Sequence, residues 1–240
     1  GVTAWNDLPY GGNPTTWADV VGRPTLSVKG DYGAVGDGVT DDTDAFVAAL
    51  AAAGPSGVVF LPAGDYLITD TLTLPKGCSL IGAGMRASRI VTNTDITAIR
   101  CINSHSETLR DFTIISTATL VPRTTPNIWF TNPVRPLFDA VKIDLGNSRT
   151  GGGITFDADD ELEGYEAAFM PVLSNCWLRN AHLVVDGVTD GKVSNSWIWA
   201  AGGTPGGSAA VSLTGTAGWT FTGVDVVPPN DGTGAAYLIT

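Results

Sequence analysis

A six-residue pattern that occurs five times between residues 109 and 226 places the strongest constraint on the fold of this chain. An apolar residue is followed by two polar or small residues, a small or apolar residue, a variable residue and a final apolar residue. The copies are LRDFTI at 109–114, FDAVKI at 138–143, LSNCWL at 173–178, VSNSWI at 193–198 and FTGVDV at 221–226. They start 29, 35, 20 and 28 residues apart. A constant strand motif separated by loops of unequal length is typical of a solenoid.

The motif predicts an all-β fold, a right-handed parallel β-helix. Its first, fourth and sixth residues are expected to point into a narrow core, and its third residue must be small or tolerate a left-handed backbone at a bend. A β-sandwich, which can match one or two copies by chance, is the alternative. The residues expected to stack in the core include Leu109, Phe112, Ile114, Leu173, Cys176 and Leu178.

The composition limits the partners of the chain. Of its 240 residues, 43% are hydrophobic and 15% charged, which fits a well-buried globular body. The net charge is −11 with only 13 basic residues, so a nucleic acid or an anionic membrane would be repelled. No apolar run of about 18 residues exists, so membrane insertion is not expected.

The chain divides into residues 1–30, interpreted as a neck or linker, and residues 31–240, interpreted as the β-helix domain. One helix is predicted at about 41–53, where acidic residues precede DAFVAALAAAG and a Gly-Pro pair ends it. The sequence starts at Gly1 without an initiator Met and stops in an apolar, strand-like AYLIT. We therefore expect a fragment of a longer protein, with further turns beyond Thr240.

The segment DYGAVGDGVTDDTDAF at 31–46, with GVVFLPAGDYLI at 57–68, resembles the N-terminal signature of the pectate-lyase-like β-helix superfamily. That group includes pectin-degrading enzymes, fungal glucanases and bacteriophage tailspikes. The resemblance implies that the helix caps the N-terminal end of the solenoid. It further implies turn-forming roles for Gly36, Asp37 and Gly38 and helix-capping roles for Asp41 and Asp42.

A second resemblance lies upstream, where WADVVGRP at 17–24 is similar to a phrase of bacteriophage tail fibres, with Val21 in place of the usual Thr. Together the two resemblances imply a tailspike-type receptor-binding protein of the virion tail. Such proteins are usually homotrimers that bind, and often cleave, host surface polysaccharides. The N-terminal side would then join other virion tail proteins.

The acidic segment does not predict a metal site. Asp37, Asp41, Asp42 and Asp44 superficially match the spacing of calcium ligands, but the distal glutamate of an EF-hand loop is missing. The two histidines, His105 and His182, offer little material for zinc binding or a catalytic triad. No cofactor is predicted, and the three dispersed cysteines Cys78, Cys101 and Cys176 are expected to be buried free thiols.

The acidic stretch FDADDELEGYE is the candidate catalytic segment, because glycoside hydrolysis needs two nearby carboxylates. A solvated loop is the alternative. A pectinase is disfavoured, because the Gly-His-Gly and Arg-x-Lys motifs that the resemblance to polygalacturonases would require are missing. The candidate residues are Asp157, Asp159, Asp160, Glu161 and Glu163, followed by Glu166.

The outward fifth position of the motif holds Trp177 in one copy and Trp197 in the next, and Trp199 follows on the same face. If the 20-residue interval is one turn, Trp177 and Trp197 lie about 4.8 Å apart on neighbouring strands. Exposed aromatic strips usually mark a partner surface, and Arg179, in register with Trp199, can bind an acidic sugar. Glycan binding, a trimer interface and cover by residues 200–208 all remain open.

We therefore expect a tailspike-type protein that recognises a host polysaccharide, and whether it also depolymerises that polysaccharide stays open. Two alternatives remain: a secreted polysaccharide lyase or glycoside hydrolase of the same superfamily, and a purely structural tail component.

Overall fold

The computed structural model describes residues 25–117, 125–146, 152–158, 168–200, 209–228 and 236–239. These residues form a parallel β-solenoid of about six turns with one short helix, which confirms the all-β solenoid expected from the repeated motif. Most of the neck, residues 1–24, lies outside the described residues.

In chain order the elements are β1 (Leu26–Ser27), β2 (Asp37–Asp41), α1 (Thr43–Ala53), β3 (Val58–Leu61), β4 (Gly64–Ile68), β5 (Leu72–Leu74), β6 (Ser79–Gly82), β7 (Ser88–Thr92), β8 (Ile99–Ile102), β9 (Thr108–Ser116), β10 (Ile128–Thr131), β11 (Leu137–Asp144), β12 (Gly153–Asp157), β13 (Val172–Ser174), β14 (Trp177–Arg179), β15 (His182–Asp186), β16 (Lys192–Ser194), β17 (Trp197–Trp199), β18 (Val211–Thr214), β19 (Thr220–Thr222), β20 (Asp225–Val227) and β21 (Tyr237–Ile239).

Each complete turn of the solenoid contributes one strand to each of three faces. The first face contains β1, β3, β6, β13, β16, β19 and the starts of β9 and β11. The second face contains β2, β4, β7, β14, β17, β20 and the ends of β9 and β11. The third face contains β5, β8, β10, β12, β15, β18 and β21.

The five copies of the motif stack directly on one another. Their first residues are in register from β9 to β19, and their sixth residues are in register from β9 to β20. Leu109, Phe112, Ile114, Leu173 and Leu178 are fully buried, and Cys176 is 2% exposed, so the predicted core is confirmed. Each of the four unequal intervals is therefore a single turn.

The third residue of every copy has the left-handed backbone that the motif required. The φ angles are 62° at Asp111, 52° at Ala140, 55° at Asn175, 47° at Asn195 and 61° at Gly223. This left-handed residue turns the chain from the first face to the second. The prediction is confirmed at all five positions, including Ala140, where such a φ is unfavourable for a residue with a Cβ atom.

Helix α1 packs against the strands that begin the solenoid, through its buried Phe46, Ala49 and Leu50. The Phe46 ring meets Tyr66 of β4 edge to face, with 5.5 Å between ring centroids. Gly54 adopts a φ of 61° and its N–H donates to the Leu50 carbonyl, which ends the helix. In the described ranges, no helix is long and apolar enough to cross a membrane.

Candidate functional site

The acidic segment at residues 31–46 directs its carboxylates at its own backbone. Asp42 is the N-cap residue of α1, but its carboxylate accepts the N–H groups of Val35 at 2.6 Å and Gly36 at 3.0 Å instead of capping the helix. Asp41 accepts the Thr43 N–H at 3.0 Å. These contacts fix the turns around Gly36, where an added Cβ would lie 2.9 Å from the Tyr66 ring.

Hydrogen bonds also lower the pKa values of two acids in this segment. Backbone N–H groups of Thr40 and Val39 lower the pKa of Asp37, and the hydroxyls of Thr43 and Thr69 lower that of Asp41. A carboxylate that accepts several hydrogen bonds stays ionised and holds its donors in place. Nowhere in the part of the chain that the structure describes do three His, Cys, Asp or Glu residues form a metal-binding cluster.

Of the candidate catalytic acids, the structure describes Asp157. It ends β12 on the third face, in register with Thr131 on one side and Asp186 on the other. Adjacent strands put these two aspartates about 4.8 Å apart at their backbones. Asp186 was not singled out from the sequence, because it belongs to no copy of the motif. The remaining candidates lie outside the described residues: Asp159, Asp160, Glu161, Glu163 and Glu166.

The three candidate tryptophans form one continuous strip on the second face. Trp177 is in register with Trp197, and their ring centroids are 5.2 Å apart. Trp197 and Trp199 are separated by 5.5 Å. All three side chains are partly exposed, whereas Leu178 and Ile198 between them are fully buried. We call Trp177, Trp197 and Trp199 the tryptophan strip.

A charged cluster adjoins the strip on the neighbouring turn. The Lys142 ammonium lies 4.5 Å from the centroid of the Trp177 ring and 2.9 Å from the Asp144 carboxylate. Arg179, expected to be available for an acidic sugar, contacts the same carboxylate at 3.2 Å. Burial of Asp144 opposes its ionisation, but Lys142, the Gly146 N–H and Arg179 outweigh burial and hold its pKa below the usual value. Arg179 thus contacts Asp144 through one guanidinium nitrogen, Nη1, and its role towards an acidic sugar stays a prediction.

Two adjoining cavities, of about 410 and 380 Å³, run along the second face beside the strip, and we call them the groove. Both are bordered by Trp177 and by Met85, which belongs to the bend between β6 and β7. The larger one is lined by Met85, Arg86, Arg89, Thr113, Ile115, Lys142, Asp144 and Trp177. The smaller one is lined by Met85, Asn175, Cys176, Trp177, Asn195, Ser196, Trp197, Gly223 and Asp225.

Part of the groove could have been found from the sequence. Lys142 and Asp225 occupy the same fifth motif position as Trp177 and Trp197, so the aligned copies place all four in one row. The Met85 bend could not, because LIGAGMRASRI contains no copy of the motif.

The cysteines and His182 contribute no reactive group to the groove. The three thiols are free and buried, as predicted. Burial raises the pKa of Cys78 to about 11 and that of Cys176 to about 12, so neither thiol is a reactive thiolate at neutral pH. Burial likewise lowers the pKa of His182, whose Nδ1 lies 2.7 Å from the Ala209 carbonyl oxygen.

A parallel β-solenoid with an aromatic groove on its exterior places this chain among the β-helix proteins. The profile of the family described as "Rhamnogalacturonase A/epimerase, pectate lyase-like" matches residues 26–226. The chain belongs to this family.

Short stretches of the chain are similar to proteins of several kinds. A stretch of 65 residues, 27% of the chain, is 51% identical to the non-secreted LysM effector LysM19 of Penicillium expansum. A stretch of 64 residues is 44% identical to the mannuronan C5-epimerase AlgE2 of Azotobacter vinelandii. A stretch of 60 residues is 42% identical to the pre-neck appendage protein of Bacillus phage B103. These matches span only 5%, 6% and 6% of the respective proteins.

Two solved structures share the fold. The N-terminal fragment of bacteriophage phi29 gene product 12 superimposes with a TM-score of 0.60 at 18% identity, over 82% of this chain and 36% of that one. A protein of Parabacteroides merdae, provisionally named a glycosyl hydrolase, gives 0.58 at 10% identity, over 88% of this chain and 98% of that one. At these identities, the likeness establishes the fold alone.

Proposed function

We propose that this chain is the β-solenoid of a phage tail protein that binds a host surface polysaccharide in the groove of its second face. The tryptophan strip carries this proposal. Trp177 and Trp197 lie on consecutive turns with ring centroids 5.2 Å apart, and Trp199 extends the strip along the same strand as Trp197, at a centroid distance of 5.5 Å. The similarity of a 60-residue stretch to a phage pre-neck appendage protein, together with the WADVVGRP phrase at 17–24, supports a virion tail as the setting.

The strip suits a sugar chain on physical grounds. Sugars present flat C–H faces that pack against aromatic rings. The planes of Trp177 and Trp197 meet at 66° and those of Trp197 and Trp199 at 46°, so the strip offers differently tilted faces to successive sugars. Ligand sites combine such apolar surfaces with a few well-placed polar groups. Here Asn175, Asn195 and Asp225 supply amide and carboxylate groups at the edge of the smaller cavity, where sugar hydroxyls would bind.

The wider assembly is part of the same proposal. The solenoid is right-handed, α1 caps its N-terminal end, and residues 1–30 form a neck that joins other tail proteins. The protein is a homotrimer in the extracellular virion tail, and nucleic acids and membranes are not its partners. In a purely structural tail component, the strip would instead be buried between subunits.

Binding to a panel of bacterial capsules and lipopolysaccharides, measured by calorimetry, tests this proposal. Trp177→Ala and Trp197→Ala are each expected to weaken binding by about 1 kcal/mol or more. Trp129→Ala is the matched control, because Trp129 is a partly exposed tryptophan of β10 on the third face, stacked with Arg100 at 4.8 Å. Loss of binding in the control but not in the strip variants would place the glycan on the third face.

Polysaccharide cleavage is a second candidate function, favoured by the Asp157 and Asp186 carboxylates on adjacent strands of the third face. The backbones of these two residues lie about 4.8 Å apart on adjacent strands, which is compatible with the carboxyl separation of about 5 to 5.5 Å that retaining glycosidases use. A secreted lyase or glycoside hydrolase would use the same site. Asp157→Asn and Asp186→Asn are expected to abolish product formation, followed as reducing ends or unsaturated uronate absorbance, without affecting binding at the groove. Product formation that persists in both variants would exclude this site.

A further inference from the structure

We infer that the larger cavity of the groove is an anion subsite in which Arg86 binds a carboxylate, sulfate or phosphate group of the glycan. This inference rests on the proposed function and specifies the class of glycan. The cavity is lined by three basic residues, Arg86, Arg89 and Lys142, and by a single acid, Asp144. The whole chain has 24 acidic and 13 basic residues. Because the protein as a whole is acidic, a cavity lined mainly by basic residues favours an anionic glycan over a neutral one.

Arg86 differs from the other two basic residues of the cavity in its ion-pair partners. Arg89 forms a two-point ion pair with Asp65, in which its Nε and Nη2 groups both contact the carboxylate. Lys142 is bound to Asp144 and covers Trp177. Arg86 is exposed and forms no ion pair with any residue that the structure describes. Its guanidinium is thus the cation at this cavity whose charge no carboxylate of the described residues neutralises.

The backbone that carries Arg86 is well anchored. The Thr113 hydroxyl donates to the Met85 carbonyl, and the Gly84 N–H donates to the Asp111 carbonyl at 2.9 Å. The buried Ser88 hydroxyl donates to the Leu61 carbonyl and accepts the Ala83 N–H. A guanidinium can bind an oxyanion through two parallel hydrogen bonds, and because the bend is already fixed, binding has to order only the Arg86 side chain and not the backbone that carries it.

The two cavities differ in charge, so a bound glycan is expected to lie in the groove in one orientation. The larger cavity holds the cations, whereas the smaller one holds Asp225 and uncharged amide and hydroxyl groups. A sugar stacked on Trp177 and Trp197 would thus extend its anionic substituent towards Arg86 and its neutral neighbour towards Asp225. The ligand class is therefore a glycan that can place an acidic group in the larger cavity while another part of it binds in the smaller one.

Matched charged and neutral polymers test the subsite. Alginate, dextran sulfate and dextran phosphate supply the three oxyanions, and carboxyl-reduced alginate and dextran are their neutral counterparts. We expect binding of at least one charged polymer, and Arg86→Ala should weaken it roughly tenfold. Arg110→Ala, which removes an exposed arginine from the first face outside the groove, should change affinity less than about twofold. Circular dichroism checks that both variants fold.

Each outcome decides the inference. Binding of no charged polymer, equal binding of charged and neutral polymers, or an unchanged affinity of Arg86→Ala would overturn it. If the Trp177→Ala and Trp197→Ala variants bind the same polymer more weakly while Arg86→Ala does not, the groove stands and only the anion subsite fails. If none of these three substitutions lowers the affinity for the polymer, the groove is not the binding site. The charged polymer whose affinity falls in Arg86→Ala but not in Arg110→Ala shows which oxyanion the subsite binds.

Discussion

The acidic segment at residues 31–46 and the groove are both dense in unusual side chains, and they differ in where those side chains find partners. Asp37, Asp41 and Asp42 direct their carboxylates at the backbone and hydroxyl groups of their own turns. The tryptophans of the strip instead stay partly exposed, with Trp177 one turn away from Trp197 and Trp199 on the same face. The many acids of residues 31–46 therefore mark a structural region, because their carboxylates already have partners within the protein. The tryptophan strip marks the candidate site, because its rings stay available to a ligand.

The largest effect is expected on the structural side of this comparison, in Asp42→Ala. Asp42 is 3% exposed and accepts two backbone N–H groups, which the variant leaves unpaired. The free energy of unfolding should fall by about 3 kcal/mol, measured by urea denaturation. Asp44→Ala is the control, because Asp44 is exposed in the first turn of α1 and should cost less than about 1 kcal/mol.

Glycan binding by the folded fraction of Asp42→Ala should be unchanged. If a fully folded Asp42→Ala sample binds the glycan more weakly, the acidic segment also takes part in binding and is not purely structural.

A smaller effect is expected from Lys142→Met on the functional side. The substitution removes the cation over Trp177 but keeps an apolar side chain of similar length against the ring. Affinity for an acidic glycan should fall by about 1 kcal/mol, measured by calorimetry. The urea midpoint should fall modestly as well, because Asp144 loses its ion pair with Lys142 but keeps its contact with Arg179. A variant that unfolds at much lower urea but binds normally would make Lys142 a structural residue.

The smallest effect is the pH dependence of the acidic segment. The pKa values of Asp37 and Asp41 lie below their ordinary value of 3.8 in the folded protein. Each group therefore adds stability that is fully present above pH 3.8 and is lost as the pH falls through the lower, folded pKa. Urea midpoints measured between pH 5 and pH 2 should decline less steeply for Asp41→Asn than for the unmodified chain. Parallel slopes would contradict the predicted coupling.

The sequence was most informative where one short rule repeats. The positions of Leu109, Leu173 and the bend residue Asn175 follow from the motif alone, because stacking in a narrow core fixes the register of every turn. The neighbouring positions of Trp177 and Trp197 followed from the 20-residue interval for the same reason. Each such position is defined by backbone geometry, which the motif encodes directly.

The chemistry around the strip was less predictable. The ion pair between Arg179 and Asp144 joins side chains from different turns, and no local sequence pattern specifies such a pair. The Met85 bend is a single interruption of the repeat, so it has no second copy with which to be aligned. Arg86 matters because its neighbours are already paired, a property that appears only once the side chains are placed.

A crystal structure of the protein with a bound oligosaccharide from the tightest-binding polymer tests the central claim most directly. The proposed function predicts sugar rings packed on Trp177 and Trp197, and the anion subsite predicts an acidic group within hydrogen-bonding distance of Arg86. A sugar bound on the third face beside Asp157 and Asp186, or a tryptophan strip buried against another subunit, would contradict the account.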